Sequence, residues 1–158
     1  MKICVIGTYG VGKTTLCNQI LKDLGDEAVV LPDMMEEGII NAPGSFGATR
    51  AVWSYHAQVL SESDKDIVEL DIICDRSVID PLIFARALGI KSDFVDACWM
   101  AASVWMLSYD IIVYVTKSKL KMSKEQALIQ EYFTEWVTGS EIAHLVYVSS
   151  EDIFASHY

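Results

Sequence analysis

Five short stretches rich in apolar residues punctuate the chain, at 2–6, 28–31, 67–74, 111–115 and 145–148, the first opening on Lys2 and the third interrupted by Glu69 and Asp71. The other stretches are continuous rather than alternating, and all are rich in aliphatic residues, Val and Ile above all. That pattern predicts strands covered on both faces, because a strand with one wet face would show apolar and polar residues in turn. Between these runs the apolar residues recur at helical spacing. Leu16, Ile20 and Leu24 lie one turn apart over 13–24, where Gly25 is placed to stop the helix. Further helices are predicted at about 48–60, after the turn-rich Asn41–Ser45, at about 81–88, and at 93–109, where Phe94, Cys98, Ala101, Ala102 and Trp105 share a side. The last is predicted at 123–137, opened by Ser123-Lys124-Glu125-Gln126 in the order of a capping box. Continuous strands alternating with helices specify an α/β protein: a mostly parallel five-stranded sheet in three layers, with ligands at the carboxyl ends of the strands. No repeat, low-complexity stretch or linker interrupts residues 1–158, which read as one domain.

The first strand runs directly into Gly7-Thr8-Tyr9-Gly10-Val11-Gly12-Lys13-Thr14, which fits the pattern G-x-x-x-x-G-K-[ST]. The glycines let backbone N–H groups wrap a polyphosphate, with Tyr9, Val11 and Thr15 completing the loop; Lys13 reaches the terminal phosphates and the Thr14 hydroxyl binds Mg²⁺. The start of the following helix adds its positive dipole end. The pattern arises by chance in roughly one chain of this length in two hundred. Its position between a buried strand and an amphipathic helix makes coincidence rarer. A P-loop NTPase fold that takes ATP with Mg²⁺, or GTP, is expected.

Charge narrows the partners. The net charge of −10 argues against duplex DNA or RNA, whose binding needs a basic footprint, but permits a small anionic substrate where positive charge is concentrated. The apolar runs are far shorter than the roughly 18 residues of a membrane span, and the first run enters the glycine loop with no leader-like stretch, so no membrane partner and a cytoplasmic location are expected. Cys4, Cys17, Cys74 and Cys98 are widely spaced in apolar surroundings and read as reduced core thiols. His56, His144 and His157 have no metal-ligand spacing and read as structural or exposed.

The third strand runs into Asp75-Arg76-Ser77, which puts Asp75 at the carboxyl edge of the sheet, beside the phosphate loop. A carboxylate there can orient Mg²⁺ or accept a proton from an attacking hydroxyl, and the rigid fork of Arg76 can clamp a phosphate. The bland alternative is an Asp that caps the next turn beside a surface arginine. Arg50, Arg76 and Arg86 are the only arginines, against nine lysines. Arg50 and Arg86 are candidates for the substrate site, with solvated helix faces as the alternative. Glu36 and Glu37, after the second strand, can receive an acceptor hydroxyl or begin a solvated helix. Gln58, with Trp53 and Tyr55, can recognise a planar base or merely pack. Lys117, Lys119 and Lys121, with Lys124, follow the fourth strand and suggest a lid at about 117–138 closing over polyphosphate, or a solvated basic loop.

Gly7–Thr15, the run Asp75-Arg76-Ser77-Val78-Ile79-Asp80-Pro81-Leu82 and the lysine-rich loop together resemble the P-loop kinases of nucleosides and nucleotides: the thymidylate kinase, deoxynucleoside kinase and nicotinamide-riboside kinase types. The resemblance implies a sheet in the order 2-3-1-4-5 and transfer of a phosphoryl group from ATP to a small acceptor, a nucleoside or nucleotide. It implies catalytic roles for Lys13, Asp75 and Arg76, and acceptor contacts from Arg50 and Gln58. A homodimer is compatible with it. This sequence departs from the family in two ways: the lid region offers lysines where arginines are usual, and the chain ends about ten residues after its last strand, so the usual closing helix is not expected.

Two other functions compete. Val115-Thr116-Lys117-Ser118-Lys119 superficially resembles the guanine-reading segment of GTPase switches, but Lys119 stands where an aspartate must accept the guanine N–H bonds. The arginine-poor lid and short C-terminus also suit an ATP-binding regulatory module without transferase activity.

Overall fold

The computed structural model describes residues 1–25, 27–33, 53, 71–90 and 93–155. Its elements run in the order β1 (Lys2–Ile6), α1 (Lys13–Leu24), β2 (Ala28–Leu31), β3 (Asp71–Asp75), α2 (Asp80–Ala87), α3 (Asp93–Trp105), β4 (Ile111–Thr116), α4 (Lys124–Gly139), β5 (Leu145–Ser149) and α5 (Ser150–Ala155). All strand pairs are parallel, in the order β2-β3-β1-β4-β5. β1 lies at the centre, with Cys4 opposite Cys74 on one side and Ile112 on the other.

The unbroken apolar runs are explained by what each face meets. Successive side chains of a strand point to opposite faces. Cys4 and Ile6 of β1, with Cys74, Ile112 and Tyr114 of its neighbours, belong to one core, closed by residues of α2, α3 and α4. Ile3, Val5, Ile73, Val113 and Val115 belong to the other, closed by Cys17 of α1 and Ile153 of α5. Each fully buried aliphatic chain contributes about 1.5–3 kcal/mol, so neither face tolerates a polar residue cheaply.

α4 turns its buried residues Ile129, Phe133 and Val137 to the first core at spacings of four, and Phe133 packs edge-on against Phe84 with ring centroids 5.9 Å apart. Its start is the expected capping box: the Ser123 hydroxyl accepts from the Gln126 backbone N–H at 3.1 Å, and the Gln126 side chain accepts from the Ser123 N–H at 2.9 Å. The helical stretch expected at 93–109 ends earlier, at Trp105, and tightens into a 3₁₀ turn over Met106–Ser108. α5 was not expected. It forms directly after β5 and lays Ile153 into the second core, and tertiary burial of this kind stabilises a helix too short to persist alone.

All four cysteines are buried and unpaired. No helix among the described residues is long and apolar enough to cross a membrane. Of the helix expected at 48–60 only Trp53 is described, helical and packed against Phe94 and Trp105 with ring centroids 5.6 and 5.7 Å away; the rest of it and the candidate residues Glu36, Glu37, Arg50, Gln58, Tyr55, His56 and His157 lie outside the described residues.

Candidate active site

At the carboxyl end of β1 the chain turns through Gly7, at φ 146° and so close to β4 that a Cβ there would sit 2.6 Å from the Val115 carbonyl oxygen. Only glycine fits. The loop then enters α1 through Gly12, at φ 95°, ψ 20°, with no side-chain cap on the helix. The first N–H groups of α1 are thereby left for a ligand. Tyr9, Gly10, Gly12, Lys13, Thr14 and Thr15 line a cavity of about 120 Å³ with two further residues, Asp33 and Arg76. Val11 is fully buried in the second core and anchors the loop from beneath.

Lys13 is 5% exposed, and its ammonium donates to the Thr8 carbonyl. Burial pushes its pKa down from 10.5 to about 7; the nearby guanidinium of Arg76 pushes the same way, against Asp33, Asp75 and Asp80. A phosphate would reverse that balance by giving the ammonium a counter-charge.

β3 delivers the next two residues. The Thr14 hydroxyl donates to Asp75 Oδ2 at 2.6 Å, while Asp75 Oδ1 is buried with no hydrogen-bond partner. Burial raises the Asp75 pKa, opposed by the Thr14 hydrogen bond. One hydroxyl and one carboxylate with an unused buried oxygen suit Mg²⁺, which is commonly held by one or two carboxylates with substrate phosphates completing its shell. Among the described residues no group of three or more His, Cys, Asp or Glu could hold a metal by itself.

Arg76 has φ 96°, the one positive φ of a non-glycine residue among those described. The strained turn sends its fully buried side chain back beneath the phosphate loop. There Nη1 donates to the Gly7 carbonyl at 2.8 Å and to Asp80 Oδ2 at 3.0 Å, Nε donates to Asp33 Oδ2 at 3.0 Å, and the guanidinium lies over the Phe84 ring. Burial acts to lower its pKa, but Asp33 and Asp80 outweigh it and the pKa is raised, so the charge is kept. Among the described residues Nη2 is buried without a partner. Asp80 is itself fixed from the other side, Oδ1 accepting from the Ser77 N–H at 2.9 Å and the Ser77 hydroxyl at 2.6 Å.

The structure therefore gathers Lys13, Thr14, Thr15, Arg76 and the loop residues around one cavity, with Asp75 bonded to Thr14 at its floor. It does not bring Arg86 there: Arg86 sits in the last turn of α2, six residues beyond Asp80 and so about 9 Å farther along the helix. Its guanidinium stacks on Trp99 at 3.6 Å and pairs with Asp96 at 3.5 Å. Lys117, Lys119 and Lys121 are not among the residues lining the cavity. The backbone of Lys117 is clipped at both N–H and C=O by the side chain of Gln130, Lys119 pairs with Glu131 at 2.8 Å, and Lys121 approaches Glu151 at 3.8 Å. Most of the stretch 117–138 is α4, tied to the loop by Gln126 Nε2 donating to the Tyr9 carbonyl at 3.0 Å and by the Tyr9 hydroxyl donating to Glu125 at 2.9 Å.

Two residues of this network, Asp33 and Asp80, carry no role in the sequence reading. Asp33 had a usable signal, since it follows β2 at the carboxyl edge, where α/β proteins place ligands. Asp80, masked by the Pro81 beside it, looks like an ordinary helix start.

Structures of deoxyadenosine kinase from M. mycoides superpose closely. The one with the products dCMP and dCDP bound has a TM-score of 0.72 and 19% identity, covering 98% of this chain and 94% of that one. The same enzyme with dATP bound gives 0.64 and 20%, covering 96% and 92%. Thymidylate kinase from Ehrlichia chaffeensis gives 0.62 and 16%, covering 94% and 86%. The chain has the P-loop kinase fold. No protein-family model matches the sequence, and no curated protein matches it. At these identities the likeness concerns the path of the backbone, within which the sheet order 2-3-1-4-5 agrees with the order that the family resemblance implied.

Proposed function

We propose that the chain transfers the γ-phosphoryl group of ATP to a small acceptor, a (deoxy)nucleoside or nucleoside monophosphate. The observation that carries this reading is the convergence on one cavity of Lys13, Thr14 and Arg76 with two carboxylates in different surroundings: Asp75 bonded to Thr14 and Asp33 on the wall. A nucleotide-binding switch has use for the first carboxylate but not for the second. The nucleotides bound in the similar deoxyadenosine kinase structures support the same substrate class.

In this reading the loop N–H groups and Lys13 bind the β- and γ-phosphates, and the Nη2 of Arg76 donates to a phosphate oxygen. Thr14 and Asp75 hold Mg²⁺, which when bound offsets charge on the phosphate oxygens. Asp33, its side chain 13% exposed and oriented by Arg76, accepts the proton of an acceptor hydroxyl. The acceptor oxygen bonds to the γ-phosphorus as the bond to the ADP oxygen breaks, and the hydroxyl proton passes to the carboxylate. Glu36, Glu37, Arg50 and Gln58 belong to the acceptor side in the same proposal. The cytoplasm supplies the Mg·ATP it needs. A homodimer belongs to it too, with Met100 and Val104, 77% and 62% exposed one turn apart on α3, as its surface; light scattering decides that point.

The test is labelled ATP with Mg²⁺ and a panel of nucleosides and nucleoside monophosphates. Transfer to at least one is expected. No transfer to any would refute the kinase and favour the regulatory module, while strong preference for GTP in competition would favour the switch. Asp33→Asn separates the carboxylates: it should slow transfer to a nucleoside hydroxyl by roughly 10²-fold or more, and slow transfer to a monophosphate, which has no hydroxyl proton to lose, far less.

A further inference from the structure

A second cavity, of about 640 Å³, lies between α2, α3 and α4. Its volume is within the range of small-molecule sites, roughly 300–1,000 Å³. It is not part of the phosphate site. α2 and α4 both begin beside the phosphate loop, at Asp80 under Arg76 and at Gln126 on Tyr9, and the cavity is lined by their far turns, at Arg86 and at Tyr132–Gly139. The rise of a helix sets this at roughly 10–20 Å from the loop.

The lining is aromatic and acidic. Trp99, Tyr132 and Trp136 supply the rings, and Glu135 and Glu141, both exposed, supply carboxylates. Among the described residues Arg86 is the one basic residue in the lining, and with Asp96 at 3.5 Å beside it three carboxylates stand against one guanidinium. Its guanidinium over Trp99 at 3.6 Å is itself an instance of a planar cation held on an indole of this wall. An anion entering the cavity meets more carboxylates than guanidinium. A cation meets aromatic rings and unneutralised acids, on a chain whose net charge of −10 raises its local concentration.

We propose that this cavity binds a small organic cation, an amine or guanidinium carried on an apolar or aromatic body, between Trp136, Tyr132 and the carboxylates of Glu135 and Glu141. Ring and acid act together: the rings take the apolar body and one face of the cation, and the glutamates accept its N–H bonds.

The test uses the intact chain and three probes of one shape: phenethylamine, neutral 2-phenylethanol and anionic 3-phenylpropionate, followed by the indole N–H resonances of Trp99 and Trp136. Phenethylamine should shift both saturably and bind about tenfold tighter than 3-phenylpropionate or more. Combining Glu135→Gln with Glu141→Gln, both at exposed positions that should leave the fold intact, should weaken phenethylamine about tenfold and leave 2-phenylethanol unchanged. Equal binding of the three probes, no saturable shift, or an unaltered affinity in the double variant would overturn the proposal. Displacement of phenethylamine by ATP would move the site to the phosphate cavity and overturn it too.

Discussion

Replacing Asp80 by Asn changes one buried charge and almost no volume, which makes it a sharp probe of what holds Arg76 in place. Asp80 is fully buried and accepts three hydrogen bonds: from Arg76 Nη1, from the Ser77 N–H and from the Ser77 hydroxyl. An amide cannot serve both partners. With its oxygen towards Ser77 it points an NH₂ group at the guanidinium, and with its oxygen towards Arg76 it points that group at the Ser77 donors. In either rotamer Arg76 loses one of its two carboxylates, leaving only Asp33, whose side chain is 13% exposed. Leaving a buried charge short of its partner costs about 3–5 kcal/mol. The chain should therefore lose that much by urea denaturation, or roughly 10 °C in melting temperature for a protein of this size. Asp96→Asn is the control: it breaks the exposed pair with Arg86 at 3.5 Å, which should cost under about 1 kcal/mol. A loss below about 1 kcal/mol in Asp80→Asn would show that Arg76 does not depend on this pair, and the account of the buried network would be wrong.

Lys13→Ala should abolish phosphoryl transfer while leaving the far-ultraviolet dichroism of the fold intact, since among the described residues the side chain's hydrogen bond is to the Thr8 carbonyl. Asp75→Asn should cut turnover roughly 10²-fold or more while ATP affinity, measured calorimetrically, changes little; equal loss of both would remove its assigned role. Gly7→Ala should destabilise the fold by about 3 kcal/mol or more, because the new Cβ meets the Val115 carbonyl at 2.6 Å in a backbone conformation that L side chains avoid; a urea midpoint close to that of the parent would contradict this. Alkaline pH should also destabilise the chain. Burial raises the pKa values of Cys4, Cys17 and Cys74, so the unfolded thiols lose protons that the folded ones keep, and their contribution, intact below about pH 8.5, falls away above it. Lys13 acts in the opposite sense between about 7 and 10.5, where the unfolded chain holds a proton that the fold does not. Burial raises Cys98, Tyr109 and Tyr114 in the same direction, so the groups that lose stability outnumber Lys13 and urea midpoints at fixed ionic strength should fall as the pH rises through 10; a rising midpoint would refute it.

The sequence by itself determined whatever depends on neighbours along the chain. Gly7–Thr14 is a contiguous pattern because consecutive N–H groups must face one ligand, and β1 and β4 showed as apolar runs because both faces of these central strands are covered, whereas Val29, Val146 and Tyr147 on the edge strands stay exposed. The α4 capping box was legible for the same reason, its two bonds spanning three residues. Tertiary structure decided what depends on residues remote in sequence. Arg76 reads as a phosphate clamp in the sequence, with a surface arginine as the alternative; its burial between Asp33, 43 residues before it, and Asp80 was not legible, since no periodicity connects them. Arg86 carries the same charge ten residues further on, yet it lies in α2, whose direction takes it to the far cavity. Lys117, Lys119 and Lys121 are not among the residues lining the phosphate-loop cavity, and Gln130 clips Lys117 to a helix whose apolar side is committed to the core. α5 exists because Ile153 finds a buried site beside Val5 and Val113, and Phe154 comes to lie against Gly12. Local pattern reports propensity and periodicity, whereas burial and ion pairing report which surfaces meet, and those surfaces meet only once the sheet has assembled.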